Sequence, residues 1–150
     1  MTDNLKVIGW REWLCLPGLN VPAIKAKIDT GARTSALHTS FIEPFADNGV
    51  DKVRFGIQPL QKIEKVEVIC EALVLDERSV TDSGGHREMR FVIEAEVELL
   101  GECWPIEITL TTRTGMRFRM LLGRTALEER FIVDPGSSYL GGKKSRKLYR

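Results

Sequence analysis

The segment KIDTGARTSALH, residues 27–38, places an acid where it could do chemistry. Asp29 ends a stretch of alternating apolar and basic residues, and Thr30 and Gly31 follow it directly. A carboxylate in this position can cap a turn, ligate a metal ion or form half of a catalytic acid–base pair. Gly31 would permit backbone angles that other residues resist, and the Thr30 hydroxyl could tie the turn to a neighbouring one. The segment by itself leaves the three roles of Asp29 open.

The elements that must position this segment read mostly as strands. Alternation of apolar and polar residues predicts strands over residues 5–10, 12–16, 22–29, 36–42, 52–57, 65–75, 89–99, 104–112, 119–122 and 131–133. Residues 45–49 are predicted as a loop, and the polar residues 79–87 as the tip of a hairpin joining strands 65–75 and 89–99. The one predicted helix covers residues 123–130, about two turns. The pattern indicates an all-β, barrel-like domain with one short C-terminal helix.

Composition is that of an ordinary soluble chain. The 150 residues are enough for about one domain, 43% of them are hydrophobic, and the net charge is +1. No apolar run approaches the roughly 18 residues of a membrane span, and the first residues contain no signal-peptide core. Cys15, Cys70 and Cys103 are odd in number and form no CxxC pair, which favours reduced thiols over a zinc knuckle. We therefore expect a cytoplasmic protein with no membrane partner.

The last eight residues, KKSRKLYR, contain five basic side chains and no acid. They follow Gly141 and Gly142, so the division predicted is a domain over residues 1–142 and a basic, flexible tail over residues 143–150. The tail could be a solvated end or an arm that attracts RNA, the ribosome or an acidic protein. We favour the solvated end and expect no nucleic-acid partner, because the rest of the sequence shows no matching basic and aromatic pattern.

Three separated segments agree, in order, with one protein family. They are IDTGARTSALH (28–38), RSVTDSG (78–84) and MLLGRTAL (120–127). With them the chain resembles the retropepsin-like aspartic proteases, over roughly residues 5–140. It is most similar to a bacterial branch named for an ATP-dependent zinc protease activity, whose members are often found beside RimK-type ATP-grasp ligases that add glutamates to ribosomal protein. The resemblance implies a closed acid-protease barrel.

The resemblance also implies a mechanism and an assembly. Two aspartates held close together share a proton, so that one activates water and the other protonates the scissile carbonyl. The chain supplies one DTG, so the second carboxylate would come from a twin chain in a homodimer that pairs the two Asp29 side chains. Thr30 would brace the pair, Gly31 would line the site, and the hairpin tips would close over the substrate. The residues implied to contact substrate include Ala32, Ser83, Gly84 and Gly85.

The segment that leads from the predicted strand 119–122 into the predicted helix is implied to be structural. It contains Leu122, Gly123 and Arg124. An arginine after two leucines and a glycine is expected to tie the helix to the DTG loop or to the other subunit, rather than to take part in chemistry.

Arginines near the predicted hairpin raise the question of substrate charge. Arg78, Arg87 and Arg90 flank the hairpin tip, and Arg113, Arg117 and Arg119 lead up to Leu121 and Leu122. If several point inward, and Arg78 and Arg90 above all, the cleft would suit an acidic or poly-glutamate peptide. The alternative is that they are surface charges paired with Glu71, Asp76, Glu88 and Glu107. The sequence does not decide between the two.

Metal and nucleotide chemistry find little support in the sequence. There is no HExxH motif and no P-loop, and the two histidines, His38 and His86, have no zinc-site spacing. We predict no metal and no cofactor, and if ATP is involved we expect a partner to supply it. Three functions stay in competition: an aspartic peptidase acting on a protein tail, a non-catalytic binding module that regulates an ATP-grasp ligase partner, and, last, a zinc hydrolase. The intact DTGA favours the first.

Overall fold

The computed structural model describes residues 5–61, 63, 65–82, 84–112, 117–144 and 146–149. Its strands are β1 (Lys6–Ile8), β2 (Arg11–Leu16), β3 (Val21–Asp29), β4 (Ser35–His38), β5 (Ile42–Asp47), β6 (Val50–Ile57), β7 (Val68–Leu73), β8 (Asp76–Thr81), β9 (Arg87–Leu99), β10 (Glu102–Thr111), β11 (Met120–Gly123) and β12 (Phe131–Val133). One helical turn, α1 (Arg124–Leu127), and 3-10 turns at Pro17–Leu19 and Arg146–Tyr149 complete the described structure. The prediction of a mostly β fold is confirmed.

Six strands form a ring that is almost closed. Their order is β10, β4, β11, β3, β2 and β9, and β9 returns to pair with β10. The join between β2 and β9 consists of one residue pair, Cys15 with Glu98. Where a closed barrel was expected, the structure has a ring of strands whose β2–β9 join is a single residue pair.

Alternation along β3 sorts its side chains onto two faces. Ile24, Ala26 and Ile28 are buried in the core of the ring. Because successive strand side chains point to opposite sides, Lys25, Lys27 and Asp29 lie on the outer face. Fully buried side chains of the ring strands complete this core, including Leu14, Leu16, Leu37, Ile93, Ile108, Leu110, Met120 and Leu122.

A separate three-stranded sheet, β5-β6-β7, contradicts the predicted loop over residues 45–49. β5 continues to Asp47, which pairs with Val50 across a two-residue turn. Asn48 and Gly49 both have left-handed backbones, with φ of 51° and 79°. Asn-Gly is the sequence signal for this hairpin turn, and the prediction missed it.

The flap-like hairpin has different arms from those predicted. β7, within the predicted strand 65–75, pairs with β6 and not with β9. The true arms are β8 and β9, which pair from Asp76 with Val92 to Thr81 with Arg87. Alternation identifies a strand but not its partner, so the crossing from one sheet to the other at residues 74–75 had no signal in the pattern.

The hairpin tip is organised by Asp82. Its Oδ1 accepts hydrogen bonds from the backbone N–H groups of Gly84 and His86, both at 2.9 Å. Gly85 takes a left-handed backbone with φ of 84°, which glycine adopts at no steric cost. Ser83, predicted to contact substrate, lies outside the described residues.

The C-terminal helix is half the predicted length. α1 ends at Leu127, and Glu129 has a left-handed backbone with φ of 65°, which a continuing helix could not contain. The chain then enters β12, which pairs in parallel with β1. No helix in the described part of the chain is long and apolar enough to cross a membrane.

Candidate active site

Asp29 uses its two carboxylate oxygens differently. Oδ1 accepts hydrogen bonds from the backbone N–H groups of Gly31, at 3.1 Å, and Ala32, at 3.2 Å. No donor in the described residues lies within hydrogen-bonding distance of Oδ2. The side chain is only partly buried. One oxygen is thus fixed by the loop, and the other is open to water, substrate or a second carboxylate.

Gly31 does not have the special backbone that the sequence suggested. Its φ is outside the left-handed region, so that expectation is wrong. A Cβ at this position would lie 3.4 Å from Asp29 Oδ1, an ordinary contact distance. What glycine supplies here is an amide turned toward the carboxylate with no side chain beside it.

β11 lies beside the end of β3, where the loop that contains Asp29 begins. It runs parallel to β3, with Gly123 opposite Asp29, while Leu122 is buried in the ring. The Gly123 N–H donates to Ser35 Oγ at 3.0 Å. A Cβ on Gly123 would come within 2.6 Å of the Thr34 backbone, so the position has no room for a side chain.

The start of α1 holds the other side of the loop. The Arg124 N–H donates to the Ala32 carbonyl at 2.7 Å, and Arg124 Nη1 donates to the Thr30 carbonyl at 3.3 Å. Thr125 donates to the Arg33 carbonyl through both its N–H, at 3.0 Å, and its Oγ1, at 2.8 Å. These contacts are consistent with the scaffold role predicted for Arg124. Thr30 itself is exposed.

Arg78 and Arg90, predicted to bind substrate, lie opposite each other on the hairpin. Arg78 donates from Nη1 to Glu107 and from Nε to Asp76, both at 2.8 Å. The hydrogen bond to Glu107, which is the largest cause, and the one to Asp76 raise the pKa of the Arg78 guanidinium. The hydrogen bond from Arg78 is in turn the main cause that lowers the pKa of Asp76. The structure thus pairs Arg78 with acids of its own chain.

Arg90 is largely buried rather than directed to a cleft. It forms an ion pair with Glu88, and its Nη1 donates to Thr109 Oγ1 at 3.4 Å. Arg78 and Arg90 thus both pair with acids of their own chain, and these acids are three of the four named in the surface-charge alternative. Arg90 departs from that alternative in being buried.

The remaining arginines are divided. Arg87 and Arg117 are exposed, and Arg113 lies outside the described residues. Arg119 is partly buried, and its Nε has no hydrogen-bond partner in the described part of the chain.

The two histidines differ in their exposure to solvent. His38 is buried on β4, whereas His86 is exposed at the hairpin tip. Among the described residues there is no group of three or more histidine, cysteine or acidic side chains that could hold a metal ion.

Sequence reasoning missed two hydroxyl residues that tie the site to the ring. Ser35 accepts the Gly123 N–H, and its own carbonyl accepts a hydrogen bond from Thr109 Oγ1 at 3.2 Å. Both residues are buried. A serine in the segment after DTG gave no sign of this role, because its partner is 88 residues away.

Comparison with known proteins identifies the family of the chain. The model of the RimB-like family, described as the retropepsin-like aspartic endopeptidase RimB, matches residues 7–144. The chain belongs to this family.

Individual relatives have a different name. The chain is 44% identical over 144 residues to a probable alpha-L-glutamate ligase of Shewanella pealeana, covering 96% of the chain and 31% of the relative. It is 45% identical over 143 residues to a protein of the same description from Parasynechococcus marenigrum, covering 95% and 31%. The chain therefore spans about a third of the length of the curated relatives it matches.

A solved structure shares the fold. The crystal structure of Lpg0085 from Legionella pneumophila, a protein of unknown function, superposes with a TM-score of 0.76. The match covers 91% of this chain and 98% of the other, at 23% sequence identity. At this identity the likeness concerns the fold alone.

Proposed function

We propose that the chain is an aspartic peptidase that acts as a homodimer, with Asp29 of each subunit meeting across a two-fold axis. The observation that carries the proposal is the asymmetric holding of Asp29, with Oδ1 fixed by two loop amides and Oδ2 open. The sequence contains one DTG, so a dyad of DTG aspartates needs two chains. Membership of a retropepsin-like endopeptidase family supports it.

The chemistry is general acid–base catalysis by the shared pair. Two facing carboxylates share one proton, because close like charges cannot both ionise. The ionised Asp29 takes a proton from a water molecule while the water oxygen attacks the scissile carbonyl carbon. The protonated Asp29 of the other subunit donates its proton to the carbonyl oxygen. The C–N bond then breaks as the Asp29 that took the water proton gives it to the leaving nitrogen. The other Asp29 takes back a proton from a hydroxyl of the intermediate, which restores the shared proton and leaves a carboxylic acid product. The loop amides keep each carboxylate in position throughout.

The proposed substrate is an acidic or poly-glutamate protein tail. The relatives named as probable glutamate ligases support this choice, because a chain related to enzymes that add glutamate is suited to act on glutamate-bearing products. The proposed setting is the cytoplasm, which agrees with three free cysteines in the structure.

The first test compares the chain with Asp29→Asn on a glutamate-tailed peptide, with EDTA in both reactions and mass spectrometry as the readout. We expect cleavage by the unmodified chain and none by the variant. Equal cleavage by both would show that Asp29 only caps its turn. Cleavage by the unmodified chain only in a parallel reaction without EDTA would point to a zinc hydrolase.

A second test asks whether two chains share one site. Unmodified and Asp29→Asn subunits are mixed in equal amounts, dissociated and allowed to re-associate. A shared dyad leaves about a quarter of the activity, since about a quarter of the random dimers carry two intact subunits. Retention of about half would mean that each chain works alone. Sedimentation velocity over a dilution series measures the dimer directly.

A non-catalytic module is the second candidate. The observation that favours it is that relatives three times as long are named as ligases, with this chain matching about a third of them. In that case the domain would bind and regulate an ATP-grasp glutamate ligase. Absence of cleavage of glutamate-tailed peptides, together with a change in ligase turnover when the chain is added, would support this candidate over the peptidase.

A further inference from the structure

Three cations converge on one aromatic ring at the outer face of β2 and β3. The Arg11 guanidinium lies 4.9 Å from the Tyr139 ring centroid, Lys25 Nζ lies 5.7 Å from it, and Lys143 Nζ lies 5.9 Å from it. Lys27 is exposed on the same face of β3 and pairs in register with Arg11. We call Arg11, Lys25, Lys27, Lys143 and Tyr139 the cation patch.

Two tryptophans extend the aromatic base of the patch. Arg11 also lies 4.7 Å from the Trp10 ring, and Lys25 lies 5.3 Å from the Trp13 ring. A cation held on an aromatic face by the ring quadrupole has restricted motion and keeps its outer side in water. The patch therefore presents charges that are already oriented.

The segment that carries Tyr139 and Lys143 is pinned to β2 by a buried acid. Glu12 is completely buried and accepts hydrogen bonds from the N–H groups of Leu140, at 3.0 Å, Gly141, at 2.9 Å, and Gly9, at 2.7 Å. This places residues from the two ends of the sequence on one surface. The sequence pattern could not show this placement, because it depends on tertiary contacts. The expectation that the body of the protein has no basic and aromatic surface is therefore wrong.

The patch differs from the hairpin arginines in being unneutralised. Arg78 and Arg90 each have carboxylate partners from the same chain. By contrast, no carboxylate in the described residues forms an ion pair with Arg11, Lys25, Lys27 or Lys143, and the Glu12 carboxylate is turned inward to amides. Like charges gathered in this way repel one another, and a bound anion relieves the repulsion.

The patch leads to the candidate catalytic carboxylate. Lys25, Lys27 and Asp29 are every second residue of β3 and so lie on one face of it. The Cα atoms of neighbouring members of this set are about 7 Å apart. An extended peptide presents alternate side chains at the same spacing of about 7 Å. An acidic strand lying along this face would place alternate carboxylates beside Lys25 and Lys27 and its backbone near Asp29.

We propose that the cation patch is a docking surface for an extended acidic polypeptide. The idea that the patch positions a substrate tail at Asp29 rests on the proposed function. The binding of an acidic polypeptide to the patch does not depend on it. A polypeptide fits better than single-stranded nucleic acid, because base recognition needs open aromatic faces. Here the rings of Trp10, Trp13 and Tyr139 are already covered by the chain's own cations.

Binding is measured without cleavage. The full chain with Asp29→Asn is titrated against a fluorescein-labelled oligo-glutamate of about eight residues, long enough to cover the patch and Asp29. Fluorescence anisotropy at low salt is the readout, since screening weakens such contacts. We expect Lys25→Gln, Lys27→Gln and Lys143→Gln together to weaken binding about tenfold or more, with little change in melting temperature.

A matched triple variant controls for overall charge. Lys6→Gln, Lys52→Gln and Lys65→Gln remove the same charge at exposed or partly exposed sites outside the patch, and we expect them to change the affinity by less than about twofold. Equal weakening by both triples, no binding of oligo-glutamate, or equal binding of oligo-glutamine would overturn the proposal. Tighter binding of an oligonucleotide of equal charge would overturn it in favour of nucleic acid. Because Asp29 is already substituted, these outcomes are independent of whether the chain is a peptidase.

Discussion

Gly123 shows at the scale of one residue why the motif after β11 needs glycine. An ideal Cβ there would lie 2.6 Å from the Thr34 carbonyl carbon, 2.8 Å from the Thr34 oxygen and 2.9 Å from the Ser35 nitrogen. All three are backbone atoms, which cannot move aside as a flexible side chain can. The requirement is therefore steric, and it comes from the close approach of two segments that hold the Asp29 loop.

We predict that Gly123→Ala lowers the free energy of unfolding by about 1–3 kcal/mol, because the added methyl group forces the two backbones apart. Urea denaturation followed by circular dichroism measures it. Gly18→Ala is the control, since a Cβ there meets nothing within 4 Å and the backbone is not left-handed. An equal effect of the two substitutions would contradict the close-approach argument.

At the scale of elements, the β8–β9 hairpin is attached to the ring by polar groups at its base. Buried Arg90 contacts Thr109, whose hydroxyl donates to the Ser35 carbonyl. Ser35 in turn accepts the N–H of Gly123, opposite Asp29. The hairpin and the Asp29 loop thus share a continuous set of hydrogen bonds through β10 and β4.

This arrangement predicts unequal effects of two arginine substitutions on one hairpin. Arg90→Gln should destabilise the fold by about 1.5–3 kcal/mol, because a buried guanidinium loses its charge-assisted hydrogen bonds to Glu88 and Thr109. Arg78→Gln should cost less than about 1 kcal/mol, because its ion pairs are exposed to solvent. Chemical denaturation of both variants measures the two changes in the free energy of unfolding. A small effect of Arg90→Gln, with a raised KM for acidic peptides, would instead restore Arg90 as a substrate-binding residue.

At the scale of the whole molecule, the C-terminal residues close onto the N-terminal half. The Tyr149 hydroxyl donates to the Ala23 carbonyl and accepts the Ala23 N–H, at 3.2 Å, across 126 residues of sequence. Ala23 lies on β3 before the stretch that pairs with β11. The tyrosine therefore caps a free strand edge. The flexible tail over residues 143–150 stays a prediction, with this contact as a specific point of attachment.

The attachment predicts a pH dependence. Burial is the main cause that raises the pKa of Tyr149 from 10.0 to about 12. Between these values the folded chain keeps a proton that the unfolded chain has lost, so the contact stabilises fully below about pH 10 and is lost as the pH rises through about 12. Ultraviolet titration of the chain minus that of Tyr149→Phe should give a midpoint near 12. A midpoint near 10 would mean that the tail is detached.

The parts of the protein that depend on local pattern could be predicted from the residues alone. Strand alternation located β2, β3 and β9, because one face of each is buried and the other is exposed. The three motifs identified the family and placed Asp29 at the end of a strand. Short-range turn chemistry was also available at Asn48 and Gly49, although the prediction overlooked it.

Contacts between distant residues could be known only from the folded chain. The partner of β7, the pairing of Arg78 with Glu107 and the hold of Ser35 on Gly123 all join residues far apart in sequence, and a period-two pattern contains no information about partners. The same reason explains the cation patch, where Glu12 brings Tyr139 and Lys143 beside Arg11 and Lys25. Charge at a site depends on which side chains the fold leaves without a counter-charge, and that is a property of the folded chain.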